Sequence, residues 1–335
     1  MTIESFVSGR KWLFAPKSYL MDRVVPDIEQ ILLPAATTES GVITIDWPNS
    51  ETTRPSGSAG KKERIWSELS NRFRPVRLSG DLVVDLRVRW PHNWAHVLNN
   101  HLPLALYLRD LTRKNVREMS VLFDRNAPDY VVDLFMIFGF KVNTYSGRVT
   151  TTFLNFDAEP WICIRSIAYK WVQNYFHVTG IRDEIFRDTE ELPSKIFINR
   201  KKTRTLQNQR DVIRYLSSRG FVVIYPEDLS PQRQLKLFAD AEQVVAIHGA
   251  NMAPLLFRDI ENPGLRVVEL LSPGHMTNYY RIMSEQVGAA WAGVRGRIEP
   301  KHLKYAYRQN QRFSKYSLSP FYVDIESLEA AMDSV

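Results

Sequence analysis

The chain has 335 residues, of which 44% are hydrophobic and 24% charged. These proportions exclude a fibrous or disordered protein and indicate a soluble globular one, and at this length we expect two domains. The formal net charge of +7 points to an anionic partner, which could be a nucleic acid, a membrane surface or a phosphorylated ligand.

Cysteine usage and hydropathy bear on location. The single cysteine, Cys163, allows no intramolecular disulfide and fits a reducing compartment. No apolar run is long enough to cross a bilayer. Glu4, Arg10 and Lys11 interrupt the N-terminal residues, so these lack the apolar core of a signal peptide. We therefore expect a cytoplasmic protein.

The first half of the chain predicts an irregular α/β arrangement. Residues 1–79 show no clear pattern, and Asp46–Lys62, rich in proline, serine, threonine and glycine, is predicted to be a mobile loop. Leu82–Val88 is typical of a strand, and Trp94–Leu111 of the helix after it. Further patterns predict a strand at Ser120–Phe123, a helix at Pro128–Phe138, and strands at Phe140–Tyr145 and Trp161–Ile164. The charged stretch Arg182–Glu191 is predicted to mark a domain boundary.

Strand and helix patterns alternate four times in the second half of the chain. Lys195–Asn199 is a short strand that leads into a basic loop. Asn208 is predicted to cap the next helix, and Gly220 to end it. The remaining elements are a strand at Phe221–Tyr225, a helix opened by Ser230-Pro231, strands at Val244–Ile247 and Arg266–Leu271, and a helix at Thr277–Gln286. This alternation predicts a parallel sheet with right-handed crossovers.

The sequence QVVAIHGANMAPLLF, from Gln243 to Phe257, predicts a strand, a tight turn and a helix N-terminus. Asn251 is predicted to be the N-cap, and Pro254 to lie in the first helical turn, where its missing N–H costs little. Free backbone N–H groups at such a turn bind anions, phosphates above all. His248 lies at the carboxyl end of the strand, where doubly wound sheets bind ligands, although it could equally be a packed structural histidine.

A set of motifs occurs in order along the C-terminal half. It comprises Arg200, Arg204-x-Leu206-x-Asn208, Gly220-Phe221-Val222-Val223, Pro226-Glu227, Gln234, Phe238, His248-Gly249-Ala250, Leu256-Phe257 and Val268-Glu269-Leu270. The set resembles the pattern of glycosyltransferase family 61, and a looser block, Asn93-Trp94-Ala95-His96 through Leu102-Pro103, resembles the family's N-terminal motif. Two positions depart from that pattern. Pro254 stands where the family usually has asparagine, and Asn100 where it often has an acidic residue.

The resemblance implies the GT-B architecture, in which two Rossmann-like domains face each other across a cleft. We expect residues 1–185 to form the acceptor-side domain, residues 186–300 the domain that binds the nucleotide sugar, and residues 301–335 a basic segment and helix. Glu269 is expected to accept hydrogen bonds from ribose hydroxyls, as acids so placed do in GT-B enzymes. The expected donor-binding residues are Arg200, Arg204, Asn208, His248, Gly249, Ala250, Asn251 and Glu269.

In-line attack by an acceptor hydroxyl requires a base to take its proton. His96 is the predicted base, because histidine titrates near neutral pH, with His101 and Asp85 as further candidates. Asn99 or Asn100 is expected to orient the acceptor or the imidazole.

The sequence contains no Asp-x-Asp motif, which holds a metal ion with the nucleotide in the other large glycosyltransferase fold. We therefore expect neither a metal ion nor a cofactor, with backbone N–H groups and the cations Arg200 and Arg204 meeting the diphosphate charge. A metal-dependent hydrolase built on His92, His96 and His101 is an alternative, although no HExxH motif is present.

These features predict an inverting, metal-independent glycosyltransferase. It would move a sugar from a nucleotide diphosphate, expected to be a UDP-sugar, to a hydroxyl of a bacterial surface glycan such as a capsule, O-antigen or exopolysaccharide. The acceptor would be a glycan or a lipid-linked glycan. Asn100 and Pro254 also permit a non-catalytic module that binds a sugar nucleotide or a glycan.

Much of the positive charge lies in Arg295–Lys315, where tyrosines are interleaved with basic residues. This segment is either a solvated C-terminal stretch or a surface that attracts anionic lipid headgroups or a lipid-pyrophosphate acceptor at the inner face of the cytoplasmic membrane. Nucleic acid is not an expected partner, because no recognised nucleic-acid module is apparent.

Overall fold

The computed structural model describes residues 11–14, 35–39, 42–46, 78, 82–87, 92–112, 119–146, 149, 153–155, 176–177, 180–187, 190–259, 264–277, 279–299 and 316–335. The chain divides into two compact units, a first unit of Gln30–Ile181 together with Met1, and a second unit of Thr2–Glu29 and Arg182–Val335. Most of the predicted loop Asp46–Lys62, the predicted strand Trp161–Ile164 and residues 300–315 of the basic segment lie outside the described residues.

The first unit contains a four-stranded parallel sheet and a two-stranded antiparallel pair. The pair consists of β2 (Ala35–Glu39) and β3 (Val42–Asp46), which the sequence did not predict. The sheet has the order β6-β5-β4-β7. Its strands are β4 (Leu82–Asp85), β5 (Met119–Phe123), β6 (Lys141–Thr144) and β7 (Phe153–Asn155).

Two helices accompany this sheet among the described residues. The helix α1 consists of Trp94–His96, a π-helical turn at Val97–His101, and Leu102–Thr112. Asn93 caps it, because its side-chain oxygen accepts a hydrogen bond from the Ala95 N–H at 3.0 Å. The helix α2 spans Asp129–Ile137 and is followed by Gly139, which has a positive φ of 77°.

The second unit is built on a six-stranded parallel sheet with the order β1-β12-β11-β10-β8-β9. The edge strand β1 comes from Lys11–Phe14, in the stretch that showed no clear sequence pattern, and it pairs with β12. The other strands are β8 (Lys195–Ile198), β9 (Val222–Ile224), β10 (Gln243–Ile247), β11 (Arg266–Leu271) and β12 (Ala290–Arg295).

Helices alternate with these strands along the chain. They are α3 (Ile181–Phe186), α4 (Gln209–Ser218), α5 (Pro231–Asp240), α6 (Tyr279–Gln286) and α7 (Ile325–Ser334), with 3₁₀ helices at Pro226–Asp228 and Ala250–Phe257. The helix α5 begins after Ser230, as predicted, and the Ser230 hydroxyl caps it by accepting from the Arg233 N–H. Gly220 follows α4 with a φ of 84°, and the Phe221 N–H reaches the Leu216 carbonyl at 3.0 Å, which closes the helix as the sequence predicted.

Apolar residues of the sheet, α4 and the C-terminal residues form the core of the second unit. Phe197, Val245 and Val268 come from neighbouring strands, and they pack in one buried cluster with Leu216 of α4 and Phe321. Burial on both faces explains why these strands appear as continuous apolar runs in the sequence.

The α/β class with parallel sheets is confirmed, and the arrangement is compatible with a Rossmann-like fold. Of the two asparagines predicted to be helix caps, the prediction for Asn251 is wrong and that for Asn208 is confirmed in position. The residue before the 3₁₀ helix Ala250–Phe257 is Gly249, so Asn251 lies inside the helix. Asn208 does precede α4, but its side chain makes no capping bond, because a tertiary contact engages it instead. No helix in the described ranges is long and apolar enough to span a bilayer.

Candidate active site

The register of the second sheet brings two predicted site residues together. Ile198 of β8 pairs with Ala246 of β10, so Arg200 and His248 each lie two residues beyond a paired position, at the carboxyl edge of adjacent parallel strands. Gly249 follows His248 and leaves room for the arginine. A Cβ added at Gly249 would lie 1.6 Å from Nη1 of Arg200. Glycine is therefore needed here for close approach of the guanidinium.

Two guanidinium groups converge on one backbone carbonyl. Nη1 of Arg200 donates to the carbonyl oxygen of His248 at 3.0 Å, and Nη1 of Arg204 donates to the same oxygen at 3.1 Å. Nη2 of Arg200 also donates to the hydroxyl of Thr203 at 2.9 Å. The side chains of the two predicted donor-binding arginines are thus adjacent.

Among the described residues, no carboxylate makes an ion pair with either of these arginines. Burial lowers the pKa of Arg200 and, with the neighbouring charge of Arg200 as a second cause, lowers the pKa of Arg204 to about 10. Two partly desolvated cations without a counterion form a site that an anion would stabilise.

The backbone of Arg204 is also unusual. Its φ is 55°, in the left-handed region that residues with a side chain rarely adopt. Its N–H donates to the Leu318 carbonyl at 3.0 Å, and its Nε donates to the Ser317 carbonyl at 2.7 Å. Residues near the C-terminus therefore hold Arg204 in this conformation.

Glu269 lies in the interior of the second unit. It is 0% exposed, one of its carboxylate oxygens bonds Nδ1 of His248, and the other accepts from Nε1 of Trp291 at 3.0 Å. Because the carboxylate accepts, Nδ1 of His248 carries a proton. Both oxygens are therefore engaged within the protein, whereas the sequence predicted a contact with ribose hydroxyls.

Aromatic rings enclose the imidazole of His248. Its ring centroid lies 5.1 Å from that of His275 and 5.3 Å from that of Tyr280. Burial raises the pKa of Tyr280, and the charge of Glu269 raises it further. His248 thus contributes its backbone carbonyl to the arginine pair, while its side chain is packed and hydrogen-bonded.

Asn208 and Asn251 have different environments. The Asn208 side chain bonds both backbone groups of Val323, donating to the carbonyl at 2.7 Å and accepting from the N–H at 3.1 Å. The side-chain nitrogen of Asn251 is buried and has no hydrogen-bond partner in the part of the chain that the structure describes. Asn251 is the last residue of the turn His248-Gly249-Ala250-Asn251, called the HGAN turn below. An unsatisfied donor therefore lies in this turn.

In the first unit, His96 and Asn100 lie on the same helix and contact each other. The Asn100 side-chain nitrogen lies 3.2 Å from Nδ1 of His96. His96 is the last residue of the segment Trp94–His96, and Asn100 lies in the π-helical turn Val97–His101 that follows it, where Asn99, Asn100 and His101 are buried. Asn100 thus contacts the imidazole that the sequence predicted it to orient.

Asp85, a further candidate base, is held by a neighbouring arginine. Nε of Arg87 donates to one oxygen of Asp85 at 2.9 Å and Nη2 donates to the other at 2.7 Å. This two-pronged contact occupies both oxygens of the carboxylate.

Asp124 is an acidic residue that the sequence interpretation missed. It follows β5 directly, at the carboxyl edge of the first sheet. Burial raises the pKa of Asp124, whereas the charges of Arg87 and His92 oppose that rise. Its position immediately after a buried strand was the signal that could have identified it, as it did for His248.

No group of three or more His, Cys, Asp or Glu side chains suited to a metal ion occurs among the residues that the structure describes. His92, His96 and His101, the proposed ligands of a metal-dependent hydrolase, are all described and do not form such a group.

Comparison with known proteins identifies the family. No curated protein matches the chain. The family model described as Glycosyltransferase 61 matches residues 94–268, just over half of the chain, and this range includes His96, the arginine pair and the HGAN turn. The chain therefore belongs to glycosyltransferase family 61 and is a glycosyltransferase.

Proposed function

We propose that this enzyme transfers a sugar, with inversion and without a metal ion, from a nucleotide diphosphate to a hydroxyl of a bacterial surface glycan. The donor is a UDP-sugar, and the acceptor is a glycan or lipid-linked glycan. The observation that supports this proposal best is the pair of guanidinium groups, Arg200 and Arg204, which share one carbonyl oxygen and form no ion pair within the described ranges.

The proposed reaction is a single displacement. The acceptor oxygen attacks the anomeric carbon, the bond from that carbon to the diphosphate oxygen breaks, and the hydroxyl proton passes to a base. Negative charge grows on the leaving diphosphate, where two fixed guanidinium groups stabilise it more in the transition state than in the ground state. Arg200 and Arg204 thereby supply the charge that a divalent cation supplies in metal-dependent transferases.

His96 is the proposed base, with Asn100 holding its ring. In the structure, the Asn100 amide nitrogen lies 3.2 Å from Nδ1 of His96 and donates to it, which leaves the proton of a neutral imidazole on Nε2. The base role requires the other amide orientation, in which the Asn100 oxygen accepts from Nδ1–H and the lone pair of Nε2 is available for the acceptor proton. His101, which is buried, and Asp85, which Arg87 engages, are the further candidates.

We assign the protein to the GT-B class, in which different Rossmann-like domains bind donor and acceptor. The donor domain is residues 186–300, the acceptor domain is residues 1–185, and residues 301–335 form a C-terminal segment. Ala250 and Asn251, which lie in the HGAN turn, also bind the donor. We place the protein in the cytoplasm, with the basic segment Arg295–Lys315 drawn to anionic lipid at the inner membrane face. Arg295 itself takes no part in such a surface, because it is 1% exposed at the end of β12.

A nucleotide panel tests this proposal. Calorimetry with UDP, GDP, CDP and TDP should show one preferred nucleoside diphosphate. The matching sugar nucleotides should then release that diphosphate when glycan acceptors are added. Selective binding with no release over a broad acceptor panel would favour the non-catalytic module instead, and failure to bind any of the four would contradict the donor site.

A further inference from the structure

The residues that precede the last helix form a strap across the second unit. We define the C-terminal strap as residues 316–324. It runs beside the loop that carries Arg204: the Phe321 N–H donates to the Thr205 carbonyl at 3.1 Å, and the Gln207 N–H donates to the Phe321 carbonyl at 2.8 Å. A parallel β-bridge between Leu206 and Phe321 links the loop to the strap.

Arg204 depends on this strap through two bonds of its own. The carbonyl of Leu318 accepts from its backbone N–H, and the carbonyl of Ser317 accepts from its Nε. The left-handed backbone of Arg204, with a φ of 55°, persists only where surrounding contacts maintain it. The bond from Nη1 to the His248 carbonyl is therefore made by a side chain that the strap has already oriented.

The strap itself is fixed at several points. Asn208 bonds both backbone groups of Val323. The side chain of Phe321 is 1% exposed, and a Cβ added at Gly296 would lie 2.4 Å from its ring. On the other side, Nη2 of Arg297 pairs with Asp324 at 3.1 Å, and its guanidinium lies 4.1 Å from the centre of the Tyr322 ring.

We propose that the C-terminal strap is a positioning element of the anion site, and that Asn208 acts on the donor through the strap and Arg204. This inference rests on the proposed function of the arginine pair as the diphosphate site. The sequence predicted a direct contact between Asn208 and the donor, but both ends of its amide already bond Val323. In the absence of that bond, Val323 and the residues before it lose their anchor to the start of α4, and Arg204 loses its fixed orientation.

Inorganic pyrophosphate is the probe for this inference, because it engages the arginine pair without a base or sugar. Its affinity for the full chain is measured by calorimetry, well below the lowest melting temperature of the variants. Arg204→Ala removes the guanidinium and should lower pyrophosphate affinity by about tenfold or more, the loss expected for one charge-assisted bond. The measured loss is the largest that a change in the strap could cause through Arg204. Asn208→Ala should lose about threefold to tenfold, a part of that loss, because the guanidinium is present but no longer held.

Asp324→Asn separates positioning from electrostatics. It removes the contact with Arg297 and makes the protein more positive, so the change in charge alone would leave pyrophosphate affinity unchanged or increase it. A looser strap would decrease the affinity. The two explanations therefore predict effects of opposite sign, and this half-buried pair lies outside the buried core cluster.

Leu265→Ala is the matched control for loss of stability. Leu265 is 1% exposed and lies just before β11, at the sheet edge opposite the arginine site, and it is not part of the core cluster that contains Phe321 and Val323. It should lower the melting temperature as much as Asn208→Ala or more and leave pyrophosphate affinity unchanged. An equal loss of affinity in Leu265→Ala would overturn the inference, because destabilisation alone would then account for the effect.

Arg200→Ala separates this inference from the proposed function. If it loses affinity while Asn208→Ala and Asp324→Asn bind normally, the arginine site stands and the role of the strap is wrong. If Arg200→Ala itself binds pyrophosphate normally, both are wrong. If Asn208→Ala does not fold, Asp324→Asn decides, and the expected outcome is weaker binding despite its added positive charge.

Discussion

Removing a guanidinium group from water costs free energy unless hydrogen bonds or an anion compensate. Arg200 and Arg204 share a single carbonyl acceptor, and burial lowers the pKa of both. A bound diphosphate would provide the missing charge. The affinity of the site for anions is therefore expected to depend on each arginine individually.

Arg200→Ala is expected to weaken binding of the preferred nucleoside diphosphate by roughly tenfold to a hundredfold, since a hydrogen bond to a charged group contributes about 1.5–3 kcal/mol. Arg200→Lys should recover only part of the affinity, because lysine lacks the planar fork that contacts two oxygens. Calorimetry measures both. Arg214→Ala, which removes a guanidinium that is 81% exposed on α4, is the control and should bind normally. Unchanged affinity in a folded Arg200→Ala protein would place the donor site elsewhere.

His96→Ala is expected to reduce sugar transfer by about two orders of magnitude or more, at the lower end of what a general base contributes. Nucleoside diphosphate affinity should hardly change, because the proposed donor residues belong to the second unit. Transfer rate, affinity and melting temperature are measured together for His96→Ala and His101→Ala. Near-normal transfer by a folded His96→Ala protein would falsify the assignment, and loss in His101→Ala alone would move the role to His101.

Asp124→Asn is expected to stabilise the protein at neutral pH. The pKa of Asp124 is raised in the folded state, mainly by burial, so its ionisation above the unfolded pKa favours the unfolded chain. The gain in melting temperature should therefore be present near pH 7 and disappear as the pH falls below the unfolded pKa of an aspartate, about 3.9. Asp133→Asn, at an exposed position of α2, is the control. A gain that does not vary with pH would indicate a cause other than ionisation.

At the scale of elements, the turn after β10 joins the backbone of one strand to a side chain from another. Gly249 leaves the space that the Arg200 guanidinium occupies. That guanidinium also donates to the carbonyl of His248, which lies 48 positions away in the chain. The contact is with the flexible end of a side chain, so a methyl group at Gly249 would displace the guanidinium while the fold adapts.

Gly249→Ala is accordingly expected to weaken pyrophosphate binding by an amount close to that of Arg200→Ala, roughly tenfold or more, with a smaller effect on the melting temperature. A double-mutant cycle checks the mechanism. In the Arg200→Ala background, Gly249→Ala should cause no further loss, because no guanidinium remains to be displaced. Additive losses would show that the glycine affects the site independently of Arg200.

The sequence predicted those elements whose stability is local or whose strands are buried on both faces. The apolar run at Val244–Ile247 and the glycine closing α4 are features of this kind, and both are confirmed. The strand β12 was missed because Ala290–Arg295 includes two alanines and a glycine, and its stability comes from pairing with two neighbours. Short strands that depend on distant partners have little local signal.

The same contrast holds for the site. Adjacency of Arg200 and His248 could be predicted, because carboxyl ends of neighbouring parallel strands meet at one edge. The bonds of Asn208 to Val323 could not, because 115 positions separate the two residues and an N-cap role agreed equally well with the local sequence. The burial of Glu269 depends on Trp291 of the missed strand, so its partners could not be predicted either.

At the scale of the whole molecule, the proposed chemistry uses only groups of the polypeptide to stabilise the leaving diphosphate. Sugar transfer should therefore persist in excess chelator, and added Mg²⁺ or Mn²⁺ should change the rate by less than about twofold, far below the several kcal/mol that a catalytic metal ion contributes. The control is a metal-dependent glycosyltransferase assayed under the same conditions. Activity abolished by chelation and restored by Mn²⁺ or Mg²⁺ would contradict the metal-independent mechanism.

The second unit takes its edge strand β1 from Lys11–Phe14 and the rest of its sheet from residues beyond Arg182, so the chain that forms the first unit is an insertion within it. During translation β1 is therefore synthesised long before its pairing partner β12. It remains unpaired until more than half of the polypeptide has been synthesised. A gene fragment that starts at Arg182 would produce β12 with one open edge, where another chain can add a strand. Expression of residues 182–335 alone would thus invite aggregation unless the Lys11–Phe14 segment were grafted back onto them.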